Sequence, residues 1–372
     1  MTTNLMNSTT AWQKITGNLW VRVAFGVAVA VILIVLPLTQ SKFNNFQLSM
    51  MAVFAVAILG LNIVMGYAGQ VSLGQSAFLG LGAYIAAYGV TEGWPIPVIF
   101  ILCAVVPATV GLLVALAAAR LRGLALAMVT IALPIIGIPL AKRLREYTGG
   151  AQGTTVSWLK APDWVEGILE NDQWRYYVVL LIAVVMFLLA RNLVSGRIGR
   201  AFRIVKENEA VAIAMGISPY RYKVLAFTIA SLYGGVAGFM YLGIVQYTSP
   251  ETLSFHTSIN LVAAMVIGGA GSILGTIFAA IYYVLVPRLA NEIDPSLTAL
   301  VSGTVLLAVL FLVPGGIVSV PRRIGQVVRA VRRRIGSTPP SSPPSPPNQP
   351  SASATPGLES TEKKNERKRQ GQ

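Results

Sequence analysis

The stretch from Arg197 to Gly216, RIGRAFRIVKENEAVAIAMG, sets Arg197, Arg200, Arg203 and Lys206 ahead of Glu207 and Glu209. It then runs through an Ala-rich turn, with Ala210 and Ala212, to Gly216. The chemistry such groups offer is recognition: ion pairing and docking on an amphipathic surface. Most other polar stretches are short links between apolar segments, whereas this one spends some twenty residues on an internal loop. A loop of this kind suits a soluble partner on the cytoplasmic side. It points to a membrane protein driven from outside its own sequence.

A second set of residues lies in GYAGQVSLGQSAFLGLGAY, Gly66 to Tyr84, where glycines at 66, 69, 74, 80 and 82 alternate with Gln70, Ser72, Gln75 and Ser76. Glycine and polar amides weaken a helix and leave backbone groups in need of partners. Inside a bilayer such backbone persists only when buried in protein or lining a wet cavity. Broken helices of this sort hold polar substrates in transporters. A half-helix N-terminus favours a carboxylate, and free carbonyls favour an ammonium group. The candidate path therefore runs along Gly66, Tyr67, Gly69, Gln70, Ser72, Gly74 and Gln75 and past a second break at Gly268, Gly269 and Gly271. The competing expectation is a close-packing face, because Ser72, Ser76 and Gly80 lie four apart. Both stay open at this point, and both can hold. The same spacing in Ala226, Ala230, Gly234, Gly238 and in Gly271, Gly275, Ala279 reads as helix packing.

The remaining residues exclude much. The apolar segments hold almost no ionisable group, and proton-coupled carriers need such groups. No paired carboxylates, Ser-His-Asp set or metal-ligand cluster is available, so an intramembrane enzyme is not expected. One cysteine, Cys103, and one histidine, His256, allow neither an intrachain disulfide nor a four-ligand zinc site. The glycine cluster TGGAQG (Thr148–Gly153) is a turn, and no phosphate-binding loop of the G-x-x-x-x-G-K-[ST] type occurs. No cofactor is expected on this chain.

These residues must be positioned by membrane-spanning helices. Of 372 residues, 54% are apolar and 12% charged, about half the charge of a soluble domain. Windows 43–91, 93–119, 224–250 and 257–287 carry no charge at all, and such runs read as spans. Candidate spans are 21–38, 47–65, 73–90, 96–119, 123–141, 176–191, 224–247, 257–269, 271–290 and 297–314. The 257–269 segment is short and forms one broken unit with its successor. Fold class is thus an all-α polytopic bundle of eight to ten spans. The net charge of +15 belongs to loops and tail. Region 191–223 has seven basic and two acidic residues, the tail after 321 eleven and three, and the long loop 142–175 five of each. Alternation with 192–223 placed in the cytoplasm also puts both termini there, as the excess of basic residues on that side requires. Nucleic-acid binding is not expected despite the basic pI. The domains are a cytoplasmic segment 1–20, a transmembrane region 21–316 with external loop 142–175, and a tail 317–372. Ser337–Pro356 is Pro/Ser-rich and expected to be disordered, loosely attracted to anionic lipid.

Several motifs in order resemble a known family: GYAGQVSLGQSAFLGLGAY, LRGLALAMVT, TGGAQG, GRAFRIVKENEAVAIAMGISPYRYKVLAFTIASLYGGVAGFMY, YTSPETLSF and VIGGAGSILGT. Over residues 46–316 the chain is similar to the LivM-type permease subunits of branched-chain amino-acid ABC importers. The resemblance implies a multi-pass protein of the bacterial inner membrane, a second homologous permease, two cytoplasmic ATPases that bind ATP, and an extracytoplasmic substrate-binding protein. It also implies that an EAA-type helix docks in a groove of the ATPase. Glu209, Ala210, Ala212 and Gly216 match that pattern, with Arg200, Arg203 and Glu207 beside them, although Glu-Ala-Ala is contiguous in the generic form. The expected cargo is a branched-chain or other neutral amino acid. Alternatives are urea or an amide carried by the same family, or a secondary carrier that needs no ATPase.

Overall fold

The computed structural model describes residues 31–118, 124–162, 169–294, 298–312 and 316–317. All lie in one unit, Met1–Arg323. The segment 1–20, Arg120–Arg122 and the Pro/Ser-rich tail fall outside the described residues.

Each of the ten apolar segments is mainly helical where it is described, with non-helical residues at 73–74, 246–247, 269 and 271–272. Helix α1 covers 31–39, α2 Lys42–Leu61, α3 Gln75–Thr91, α4 Ile96–Ala118 and α5 Leu124–Arg143. A four-residue α6, Arg145–Thr148, precedes α7, Asn171–Ser195. Next come α8 (Arg197–Glu207), α9 (Glu209–Ala214), α10 (Pro219–Val245), α11 (Phe255–Gly268), α12 (Ile273–Ile293) and α13 (Thr298–Leu312). A π-helix, Asn62–Tyr67, continues α2. Among the described residues, six helical segments are long and apolar enough to cross a membrane: Lys42–Tyr67, Ile96–Ala118, Ala125–Arg143, Asn171–Ser195, Pro219–Val245 and Ile273–Glu292. The protein is therefore a multi-pass helical membrane protein. Helices α3 and α11, of 17 and 14 residues, are shorter because glycine-containing turns at Gly74 and Gly269 cut them off.

Two helices form the centre. The most apolar windows of Lys42–Tyr67 and Pro219–Val245 are 72% buried, against 28% for the other four. The outer helices leave Ile101, Leu113, Ile136 and Leu181 exposed, as lipid-facing surfaces require. Small residues allow α10 to sit between α3 and α4. A Cβ on Gly82 of α3 would run into the carbonyl of Gly235, and one on Gly238 into the carbonyl of Leu79. On the opposite face, Gly235 lies against the Pro107 ring of α4, 2.5 Å from where its own Cβ would be. Backbones approach this closely only where side chains are absent. The stripe Ala226, Ala230, Gly234, Gly238 is thus a packing seam, as its spacing predicts.

The loops sort to two ends. At one end Lys42 pairs with Glu170 at 3.1 Å, and Asn45 donates to Asp172 at 2.9 Å. Arg288 lies over the Phe43 ring at 4.9 Å, and Tyr88 contacts the rings of Trp94 and Tyr147. Thr154–Thr155 pairs antiparallel with Tyr247–Thr248 in a two-stranded ribbon. These contacts gather described parts of 39–46, 91–95, 142–175 and 248–256 together; alternation from a cytoplasmic 192–223 assigns these segments, with 291–296, to the outer side. The other end carries 66–72, the turn after α11, and α8 with α9.

Candidate coupling site

Helix α8 is held down by its apolar face. Gly199, Ala201, Phe202 and Val205 are buried, and the Phe202 ring meets Tyr222 edge-on at 6.1 Å. The chain then breaks at Asn208, whose φ of −159° is extended. The Asn208 side-chain oxygen accepts from the N–H groups of Ala210 (2.9 Å) and Val211 (3.3 Å), which starts α9. Gly216, at φ +75°, ends it, with Ile217 N–H returning to the Ala212 carbonyl at 2.9 Å. The stretch read as one amphipathic loop is two helices with a corner between them.

That corner redistributes the residues expected to meet a partner. The carboxylate of Glu209 pairs with Lys223 of α10 at 2.5 Å, so it fixes α9 to its own chain. Ala212 is fully buried. Arg200 donates to the Ser195 carbonyl and Arg203 to the Val194 carbonyl, each at 3.4 Å, and the Arg203 guanidinium stands 5.8 Å from the Tyr67 ring centre. Glu207, Ala210 and Gly216 face outward. So do three residues that the sequence reading passed over: Val211, Ile213 and Met215, 49%, 63% and 63% exposed. Their signal was present, as apolar residues at alternate positions in an otherwise hydrophilic loop. These apolar side chains stand exposed on either side of the buried Ala212, on a short helix tied to α10 by an ion pair, which makes them candidates for contact with a partner.

Behind α8 the two glycine breaks come together. Asn62, fully buried in the π-helix, accepts from Gly271 N–H at 2.7 Å and donates to the Ser272 carbonyl at 2.9 Å. Gly66 packs where its Cβ would stand 2.5 Å from the Gly271 nitrogen. Tyr67 is buried beneath Arg203. Gly269 and Gly271 take positive φ in the turn, and Gly268 abuts the Gly275 carbonyl and Ala279. Gly271 therefore belongs to the turn, while Gly275 and Ala279 form the contact. The sequence reading missed Asn62, a polar residue hidden in a window noted for having no charge.

The polar side chains between the breaks are engaged by protein. Gln70 donates to the Lys223 carbonyl at 3.0 Å. Gln75, 1% exposed, donates to the carbonyls of Ala57 and Ala230 at 3.1 and 3.2 Å. Ser76 shares a 2.7 Å bond with Ser258. Leu73 N–H reaches the Thr130 hydroxyl at 3.0 Å, with Ser72 buried beside it and Gly74 against the Thr130 carbonyl. Ser72 lies before α3 begins, so the four-residue stripe is carried by Ser76 and Gly80 alone. Among the described residues no group of three His, Cys, Asp or Glu side chains could hold a metal ion.

Residues 45–310 match the family described as branched-chain amino acid transport system, permease component. The chain belongs to this family. Among curated proteins it is 29% identical over 315 residues to the high-affinity branched-chain amino acid transport system permease protein LivM of Salmonella typhimurium, covering 77% of this chain and 73% of that one. LivM of Escherichia coli strain K12 is 28% identical with the same coverage. LivH of that strain is 24% identical over 76% of this chain and 96% of its own length. As a member of the branched-chain amino acid permease family, the chain resembles both of these permease types. The match runs from within α2 to within α13, and takes in both breaks and the α8–α9 corner.

Proposed function

We propose that this chain forms the translocation path of an ATP-driven importer for branched-chain or other neutral amino acids. It works as one of two homologous permeases in the bacterial inner membrane. ATP is bound by two separate ATPases on the cytoplasmic side, where α8 and α9 lie. A substrate-binding protein meets the opposite end, formed by 39–46, 91–95, 142–175 and 248–256. Both termini are cytoplasmic in this arrangement.

The observation that carries this reading is α9, a short helix pinned from behind by Glu209–Lys223 and showing Val211, Ile213 and Met215 outward. A rigid apolar knob next to a helix break is suited to passing force from a soluble motor. The path is proposed to pass the breaks at Gly66–Gln75 and Gly268–Gly271. With their polar side chains occupied by protein partners, substrate selection there falls to backbone groups and apolar walls. Those fit a zwitterion with an aliphatic side chain.

Competition in vesicles tests the cargo. Uptake of labelled leucine by the assembled importer should be displaced by isoleucine and valine and unaffected by urea. Displacement by urea alone would move the chain to the urea and amide branch.

A further inference from the structure

Arg203 and Lys206 stand three residues apart on α8 and so share a face. That face meets the end of α2. The Lys206 ammonium donates to the Gly66 carbonyl at 2.6 Å. Its stem lies across Gly69, where a Cβ would stand 2.7 Å from Lys206 Cγ. Gly69 has φ +70°, which turns the chain so that the lysine can pass this closely. One helical turn back, Arg203 covers the Tyr67 ring. The last carbonyls of a helix lack partners of their own and carry the negative end of its dipole. A cation is therefore held there by charge as well as by geometry. Asn62, one turn earlier in the same π-helix, bonds both Gly271 and Ser272. A displacement of α8 thus reaches the first break through Lys206 and the second through Asn62.

We propose that Lys206, with Arg203 beside it, is the latch by which movement of the α8–α9 element is passed to the two helix breaks. This rests on the importer reading above. Lys206 is a positioning residue: it touches neither ATP nor cargo, and it sets how much transport each hydrolysed ATP yields. A cap that only stabilises the π-helix would alter the amount of folded complex and leave that ratio alone.

The test uses the complete importer in vesicles and reads ATP hydrolysed per amino acid taken up. Lys206→Met keeps the stem and removes charge and donor; Lys206→Arg keeps both. The Lys206→Met complex is expected to retain its ATPases while the ratio rises roughly tenfold, within the usual range of coupling between sites. Lys206→Arg is expected to stay close to the unmodified protein. An unchanged ratio in Lys206→Met overturns the latch, as does equal uncoupling by Lys206→Arg. Loss of the ATPases from Lys206→Met also overturns it, by making Lys206 a structural cap. Unmodified protein that binds no ATPase, or transports without one, defeats the importer reading itself before any variant is made.

Discussion

Replacing Asn62 by leucine should loosen the junction between α2 and the α11–α12 turn. Leucine has similar bulk but can neither accept from Gly271 N–H nor donate to the Ser272 carbonyl, bonds now 2.7 and 2.9 Å long. Each buried backbone group left without a partner costs about 1–3 kcal/mol. Side-chain hydrogen bonds between membrane helices average only about 0.6 kcal/mol, because the separated helices find other partners. Here the two groups are half-buried in a fixed turn, so the loss should lie in the lower part of the two-group sum of about 2–6 kcal/mol, at about 2–4 kcal/mol. That corresponds to a fall of roughly 5–10 °C in the melting midpoint, measured in detergent by tryptophan fluorescence. Hydrogen exchange gives the local reading: the Gly271 amide should lose its protection. Ile63→Val serves as the control, a buried neighbour losing one methylene at about 0.5–1.5 kcal/mol. A leucine variant that melts no lower than this control, with Gly271 still protected, would refute the bridge.

Reversing the ion pair gives a second check. Glu209→Lys should release the ATPases, and Glu209→Lys with Lys223→Glu should recover them in a pull-down; the pair itself is worth about 1 kcal/mol, at the top of the exposed range. Ile213→Glu should abolish ATPase retention while the melting midpoint stays put, since substitutions at such exposed positions move stability by about 0.5 kcal/mol or less. Gly82→Leu should prevent accumulation of folded protein, because its side chain meets the Gly235 backbone. Gly216→Ala has open space around it and should cost only the left-handed backbone, about 1–2 kcal/mol. Deleting the chain after Ser337 should leave uptake unchanged in a transport assay.

Much of the architecture is legible from charge alone. A charged side chain cannot rest in hydrocarbon, so the windows without Asp, Glu, Lys or Arg mark the helices directly. Segment 176–191 nevertheless extends to Asn171–Ser195, because Asp172 bonds Asn45 and Arg175 the Leu159 carbonyl at 3.4 Å. Local composition does not reveal partners so far away in sequence. Gly216 is legible as a helix stop, since a positive φ there demands glycine. The corner at Asn208 was readable in principle, for Asn before a short apolar run is a cap, but the charges around it suggested one continuous surface. The destination of Lys206 was hidden, because a lysine bonded to a backbone carbonyl 140 residues away looks in sequence like any solvated lysine. Gln70 and Gln75 marked an important place, while only the fold reveals that their amides are taken up by backbone carbonyls.

Uptake by the purified importer in sealed vesicles, with ATP hydrolysis blocked, tests the whole account most directly. If the motor lies on separate subunits and reaches this chain through α9, accumulation of labelled leucine stops when hydrolysis stops, and stops equally when the ATPases are left out. Sustained accumulation in either condition would make the chain a carrier in its own right and contradict the account.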